Sequence, residues 1–214
     1  MNITMKLPIL VGFAATAVHG AYVIDQPVSA TNQGNAGTGQ SFTPSVGMVD
    51  DPGPSTATID LTGFSLWSNA GGSGVAGRNT TYLLIYDANP AGTANFIGSS
   101  TNFIDLDPPS NAPAGTELAW TFNNLTLNYN TTYFAVISSS NTGVNGIDDI
   151  GFGFQNNLTN PYAGGTALAD NFGAQGGSDL KFNATFINPV TVPEPSAALL
   201  GGLGMLCLLR RRRA

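Results

Sequence analysis

The sequence predicts an all-β protein: an antiparallel β-sandwich set between an N-terminal signal helix and a short C-terminal transmembrane helix. Three observations carry this reading. Runs of β-branched and aromatic residues recur between clusters of Gly, Asn, Pro and Asp, and no segment among them keeps a helical period. Several of the runs alternate apolar and polar residues, as a strand with one buried face does. Each end of the chain holds an uninterrupted apolar stretch beside basic residues.

Residues 1–20 have the order of a secretory signal peptide, with Lys6, then the apolar run Leu7 to Ala15, then small residues. Ala15-Thr16-Ala17 and Val18-His19-Gly20 both offer a cleavage site, which places the mature start between Val18 and Tyr22. Residues 21–39 read as a flexible lead-in, because the Ser, Asn, Gln and Gly of positions 29–40 carry too little apolar area to offset the entropy of ordering them. The folded domain is expected over residues 40–188.

Within it, Ile59 and Leu61 alternate with polar neighbours, and after Thr62-Gly63 the alternation resumes one position out of step at Phe64 and Leu66, which predicts a glycine bulge. Tyr82 to Tyr86 and Tyr133 to Ile137 are apolar on both faces and read as central strands covered on both sides. Leu118, Trp120 and Phe122 share one phase, as do Leu180, Phe182, Ala184 and Phe186, so these are half-buried strands and Trp120 belongs to the core. Asn79-Thr80-Thr81-Tyr82 and Asn130-Thr131-Thr132-Tyr133 read as matching strand starts. Short strands of this kind over about 150 residues fit two packed antiparallel sheets, a sandwich or jelly roll.

Residues 189–214 form a sorting segment. Ala197 to Leu209, with Leu199, Leu200, Leu203, Leu206, Leu208 and Leu209, has neither charge nor hydroxyl, and as a helix it covers about 20 Å against about 30 Å of hydrocarbon. So short a span suits temporary retention, with the guanidinium groups of Arg210, Arg211, Arg212 and Arg213 snorkelling to the headgroups. Four arginines resist crossing a membrane, which puts the C-terminus in the cytoplasm and everything before it outside. Pro193 and Pro195 keep the tripeptide around Glu194 extended and open to an enzyme.

A Pro-Glu-Pro motif, a short apolar helix and an arginine cluster, in that order over residues 192–213, resemble the tail of the PEP-CTERM proteins. The resemblance implies export by the secretion machinery, a transient stay in the inner membrane, processing by an exosortase, and delivery to the cell surface or extracellular matrix, often alongside exopolysaccharide. The run from Gln40-Ser41-Phe42 through Trp120-Thr121-Phe122 to Asp179-Leu180-Lys181-Phe182 is similar to jelly-roll domains that precede such tails.

Charge and composition bound the chemistry. Between Ala21 and Val192 twelve Asp and Glu residues face only Arg78 and Lys181, a net charge of −10. Nucleic acid is excluded as a partner, since its phosphates need a basic surface. Cys207, the single cysteine, lies in the tail, and His19, the single histidine, lies at the signal cleavage region. Triads built on His or Cys, and His/Cys metal centres, are therefore excluded from the domain. Gly71 to Gly77 has no lysine and no helix after it, so it is a loop and not a phosphate cradle.

The expectation is a non-enzymatic protein without a cofactor. Ca²⁺ is the one metal the residues would suit, at Asp105 and Asp107 or at Asp148 and Asp149; turn-forming Asp before Pro108 and before Ile150-Gly151 is the plainer account. Trp67, at a strand end before the glycine-rich loop, either caps the core or stacks on a pyranose ring, which would make the domain a lectin-like module that binds extracellular polysaccharide. A third reading, a carboxylate-based glycan hydrolase, would centre on Glu117, the lone Glu of the domain.

Overall fold

The computed structural model describes residues 21–27, 35–49, 58–69, 80–106, 115–143, 152–157, 162–169, 172–176 and 178–188. Among them fifteen strands, numbered in chain order, build two large antiparallel sheets and two small pairs. The five-stranded sheet holds β1 (Tyr22–Gln26), β4 (Met48–Val49), β5 (Thr58–Trp67), β8 (Glu117–Asn128) and β15 (Phe182–Ile187), in the order β4-β1-β15-β5-β8. The six-stranded sheet holds β3 (Gly39–Phe42), β6 (Tyr82–Tyr86), β7 (Phe96–Ser99), β9 (Tyr133–Ser138), β12 (Ala167–Leu168) and β13 (Ala174–Gln175), in the order β13-β12-β3-β9-β6-β7. β2 (Asn35–Gly37) pairs with β10 (Phe152–Phe154), and β11 (Asn156–Asn157) with β14 (Asp179–Leu180).

Taking β1, β3, β5, β6, β7, β8, β9 and β15 as first to eighth, one sheet runs first-eighth-third-sixth and the other second-seventh-fourth-fifth. That is the strand order of a jelly roll. Its core lies between the sheets: Ile59, Leu61, Phe64, Leu66, Leu118, Trp120, Phe182, Ala184 and Phe186 of one meet Phe42, Leu83, Ile85, Tyr133, Ala135 and Ile137 of the other. Phe64 stacks on Phe182 with ring centroids 5.4 Å apart, Tyr162 meets the same Phe182 edge-on at 5.1 Å, and Phe42 touches both Phe64 and Phe186. Trp120 satisfies its indole N–H within the core by donating to the Thr81 carbonyl at 3.0 Å.

The bulge at Gly63 is present. The register of β5 shifts between Leu61 and Gly63 opposite β8, and β15 shifts in step between Thr185 and Phe186. The extra residue returns Phe64 and Leu66 to the face that Ile59 and Leu61 already share, and all four are buried. β6 and β9 are covered on both faces for a visible reason. Leu83, Ile85, Ala135 and Ile137 enter the intersheet core, while Leu84, Tyr86 and Val136 join Leu168 and Phe172 in a second cluster on the outer side. The two Asn-Thr-Thr-Tyr segments do lead into neighbouring strands, but on opposite faces: Tyr133 points into the main core and Tyr82 packs against the second cluster.

One reading needs correcting. The lead-in expected at residues 21–39 holds strands instead: Tyr22–Gln26 is β1, paired with β15 on one side and β4 on the other with Ile24 buried, Asn35–Gly37 is β2, and β3 begins at Gly39. Tyr22, Val23 and Ile24 favour a strand, but Asp25, Gln26 and Pro27 cut the run short; the pairing that fixes β1 comes from β4 and, much later in the chain, from β15. The signal helix of residues 1–20 and the transmembrane helix of the tail lie outside the described residues.

β8 is an edge strand of twelve residues, and its rim is occupied at Ala119 to Thr121. Asn102 Nδ2 donates to the Ala119 carbonyl and Asn102 Oδ1 accepts from the Thr121 N–H at 2.7 Å, so a side-chain amide stands in for the missing strand. Thr101 N–H adds a bond to the Thr121 carbonyl at 2.8 Å.

Replacing Phe182 by Ala should cost about 3–5 kcal/mol, read as a lower denaturant midpoint at unchanged m-value. Gly39→Ala should prevent folding or approach that loss, because the new Cβ would run into the Ala135 carbonyl oxygen across the β3–β9 pair.

Candidate functional site

Of the residues singled out for chemistry, Trp67 and Glu117 come together at one end of the sandwich, where Lys181 joins them. β5 ends at Trp67, whose register partner across β8 is Glu117, and Lys181 stands just before β15 where Phe182 pairs with Leu66. The backbone of Gln155 is wedged between these strand ends: its N–H donates to the Trp67 carbonyl at 2.8 Å and its carbonyl accepts from the Lys181 N–H at 2.7 Å. Lys181 Nζ lies 4.3 Å from the centroid of the Trp67 ring, within cation–π range. One indole face is thus held by an ammonium group, and a sugar stacking there would first have to displace it. Trp67 is half-buried and Glu117 exposed, so this end presents an aromatic edge with a cation on one side and a carboxylate on the other.

Beneath this surface lies a buried polar cluster that sequence reading missed. Asp179 is fully buried; Gln40 Nε2 donates to its Oδ1 at 2.8 Å and the Tyr162 N–H to its Oδ2 at 3.4 Å. Gln40 is itself fixed, since its Nε2 also donates to the Ser41 carbonyl and its Oε1 accepts from the Leu180 N–H at 2.8 Å. The Tyr162 hydroxyl donates to the Thr43 carbonyl and accepts from the Thr43 N–H. The cluster ties β3, β14 and the chain around Tyr162 together. Burial pushes the Asp179 carboxyl up to about 6, against the pull of the Gln40 and Tyr162 donors, and burial likewise raises the Tyr162 hydroxyl to about 12. The alternation of Leu180, Phe182 and Ala184 places Asp179 on the polar phase, where a solvated side chain is expected. It is buried because β14 leaves the main sheet to pair with β11, and nothing local in the sequence announces that.

The remaining expected residues divide. Asp105 is exposed, while Asp107, Asp148 and Asp149 lie outside the described residues, as do Pro193, Glu194 and Pro195, the leucines of the tail, and Arg210 to Arg213. Among the described residues no three of His, Cys, Asp and Glu come together as a metal site. Asp87 serves a turn: its carboxylate accepts from the Asn95 N–H and from Asn95 Nδ2, both at 2.7 Å, and these bonds hold it below the usual carboxylate range.

The described part of the molecule is, then, a two-sheet antiparallel β-sandwich. Residues 191–213 match the PEP-CTERM protein-sorting motif. The match supports an exported protein processed by an exosortase, anchored in the membrane and then sent to the cell surface. Comparison with curated proteins and with solved structures gives no match.

The Asp179 carboxyl has a folded value near 6 against 3.8 unfolded, so the folded state holds its proton where the unfolded state has lost it. Its contribution to stability is full below about pH 4, declines between pH 4 and 6, and is gone above, a change on the order of 2–3 kcal/mol. Asp179→Asn should remove that decline, seen as the difference between the two proteins' denaturant stabilities measured from pH 4 to 7.

Proposed function

We propose that this is a non-enzymatic protein of the cell surface or extracellular matrix, exported by the secretion machinery, held briefly in the inner membrane and released by an exosortase into an exopolysaccharide layer. The observation that carries the reading is the sorting motif at residues 191–213, set a few residues beyond the last strand of a folded sandwich. The domain boundaries that go with it are a removed signal at 1–20, a sandwich running from Tyr22 to Asn188, and a sorting segment at 189–214. A net charge of −10 over residues 21–192 and the abundant Asn, Thr and Ser suit a hydrated, soluble surface. The absence of cysteine and histidine from the domain supports a role without nucleophilic catalysis.

A second reading, a lectin-like module, draws support from the half-exposed Trp67 beside Lys181 and Glu117. There the free edge of the indole and the flanking charged groups would meet the sugar.

In cells with the processing enzyme the mature protein should be shorter by both terminal segments and recovered outside the membrane. In cells without it, a species retaining the tail should accumulate in the membrane fraction. Identical mature masses in the two strains would sink the sorting reading. For the second reading, the protein should retain at least one glycan in an array screen and Trp67→Ala should weaken that retention about tenfold; binding that Trp67→Ala leaves intact would remove Trp67 from it.

A further inference from the structure

β1 begins at Tyr22 and β15 ends at Ile187, and the two lie side by side, antiparallel, with Tyr22 opposite Phe186. The first and last strands of the sandwich therefore open at one pole. Asn188 ties them there, its Nδ2 donating to the Tyr22 hydroxyl at 2.8 Å. The same pole holds the end of β8, with Asn128 opposite Thr58, and the start of β9, where the Asn128 N–H donates to the Tyr133 hydroxyl at 2.8 Å. Trp67, Glu117 and Lys181 lie at the other pole, at the far ends of β5, β8 and β15.

Five residue steps separate Asn188 from Pro193, a reach of about 17 Å when fully extended. Five strands at about 4.8 Å and two sheets about 10 Å apart give the sandwich a base of comparable width, about 20 by 10 Å. β15 cannot lend the linker more length. It is bonded on both sides, to β1 and β5, and Phe182, Ala184 and Phe186 are all fully buried, with the Phe186 ring 6.2 Å from that of Phe42. Fraying it would expose these residues and unpair both neighbours. An enzyme that grips Pro193-Glu194-Pro195 must therefore work within about 17 Å of the folded base. The exposed side chains there suit close approach: Asn128, Asn130 and Thr132 offer amides and a hydroxyl with no charge to desolvate.

We infer that the pole formed by Tyr22, Asn128, Asn130, Thr132 and Asn188 is a docking surface for the membrane enzyme that cleaves the tail. The sandwich is held against the enzyme by the short linker with Trp67 and Lys181 facing away. This rests on the sorting reading and adds to it that the folded domain is part of what the enzyme must accommodate.

The test uses the full chain in membranes that contain the processing enzyme, with Cys207→Ala so that a single new cysteine carries the label. Asn128→Cys at the linker pole and Ala119→Cys nearer the opposite pole, both exposed positions, are each conjugated to a thiol-reactive polyethylene glycol of about 5 kDa, a bulk wider than the reach of the linker. Cleavage of the residue 128 conjugate should slow at least tenfold, and that of the residue 119 conjugate less than twofold. Inserting ten Gly and Ser residues after Asn188 should restore the slowed rate. Equal rates for the two conjugates, or a slowing that the insertion leaves in place, would overturn the inference while the sorting reading stands. Failure of the unlabelled protein to be cleaved at all would overturn both.

Discussion

The structure depends on its last strand. β15 enters the five-stranded sheet between β1 and β5 and presses Phe182, Ala184 and Phe186 into the space between the sheets. Without it β1 has only the two-residue β4 beside it, and β5 loses one of its two neighbours. Phe182 lies at the centre of this packing, stacked on Phe64 and met edge-on by Tyr162. The contacts joining the first and last strands are among the most distant in sequence, so the sandwich closes only once the whole domain has been made. This topology is expected to fold slowly by comparison with helical proteins of the same size.

Closure by β15 also decides which polar groups are buried. Just before the strand the chain is drawn inward, and Asp179 is taken from water and given Gln40 and Tyr162 as partners. A carboxyl in such a place costs stability when ionised, and its two donors offset only part of that cost. What they provide is a fixed geometry, linking β3 of one sheet to the approach to β15 in the other. Two residues later Lys181 emerges at the surface and covers Trp67. The buried acid and the covered indole are both consequences of one short stretch of chain, residues 178–182, changing sheets.

Much of the fold is legible residue by residue. The period-2 phase of Leu118, Trp120 and Phe122, the slip at Gly63 and the doubly apolar runs at Tyr82–Tyr86 and Tyr133–Ile137 each state a local requirement that the sheets then meet. β1 was hard to read because its apolar run, Tyr22 to Ile24, is short and followed by Asp25, Gln26 and Pro27, and the strand is held by pairing on both sides. The Asn-Thr-Thr-Tyr echo was half legible: it marks two strand starts, but the face each Tyr takes depends on which sheet surface lies opposite. For the candidate site the sequence pointed to Trp67 and Glu117, and the register places them opposite one another. It gave no sign of Lys181 above the indole or of Asp179 beneath, since those neighbours come from strands more than a hundred residues away.

From the sequence by itself come the class of fold, the acidic composition of the domain with neither cysteine nor histidine, and the sorting motif, because alternation, charge and a Pro-Glu-Pro beside an apolar run are properties of contiguous residues. Only the tertiary structure decided the jelly-roll strand order, the burial of Asp179, the shielding of Trp67, and the pole at which the first and last strands lie together. Those depend on which distant strands become neighbours, and that is settled by the simultaneous burial of both sheet faces rather than by any local pattern.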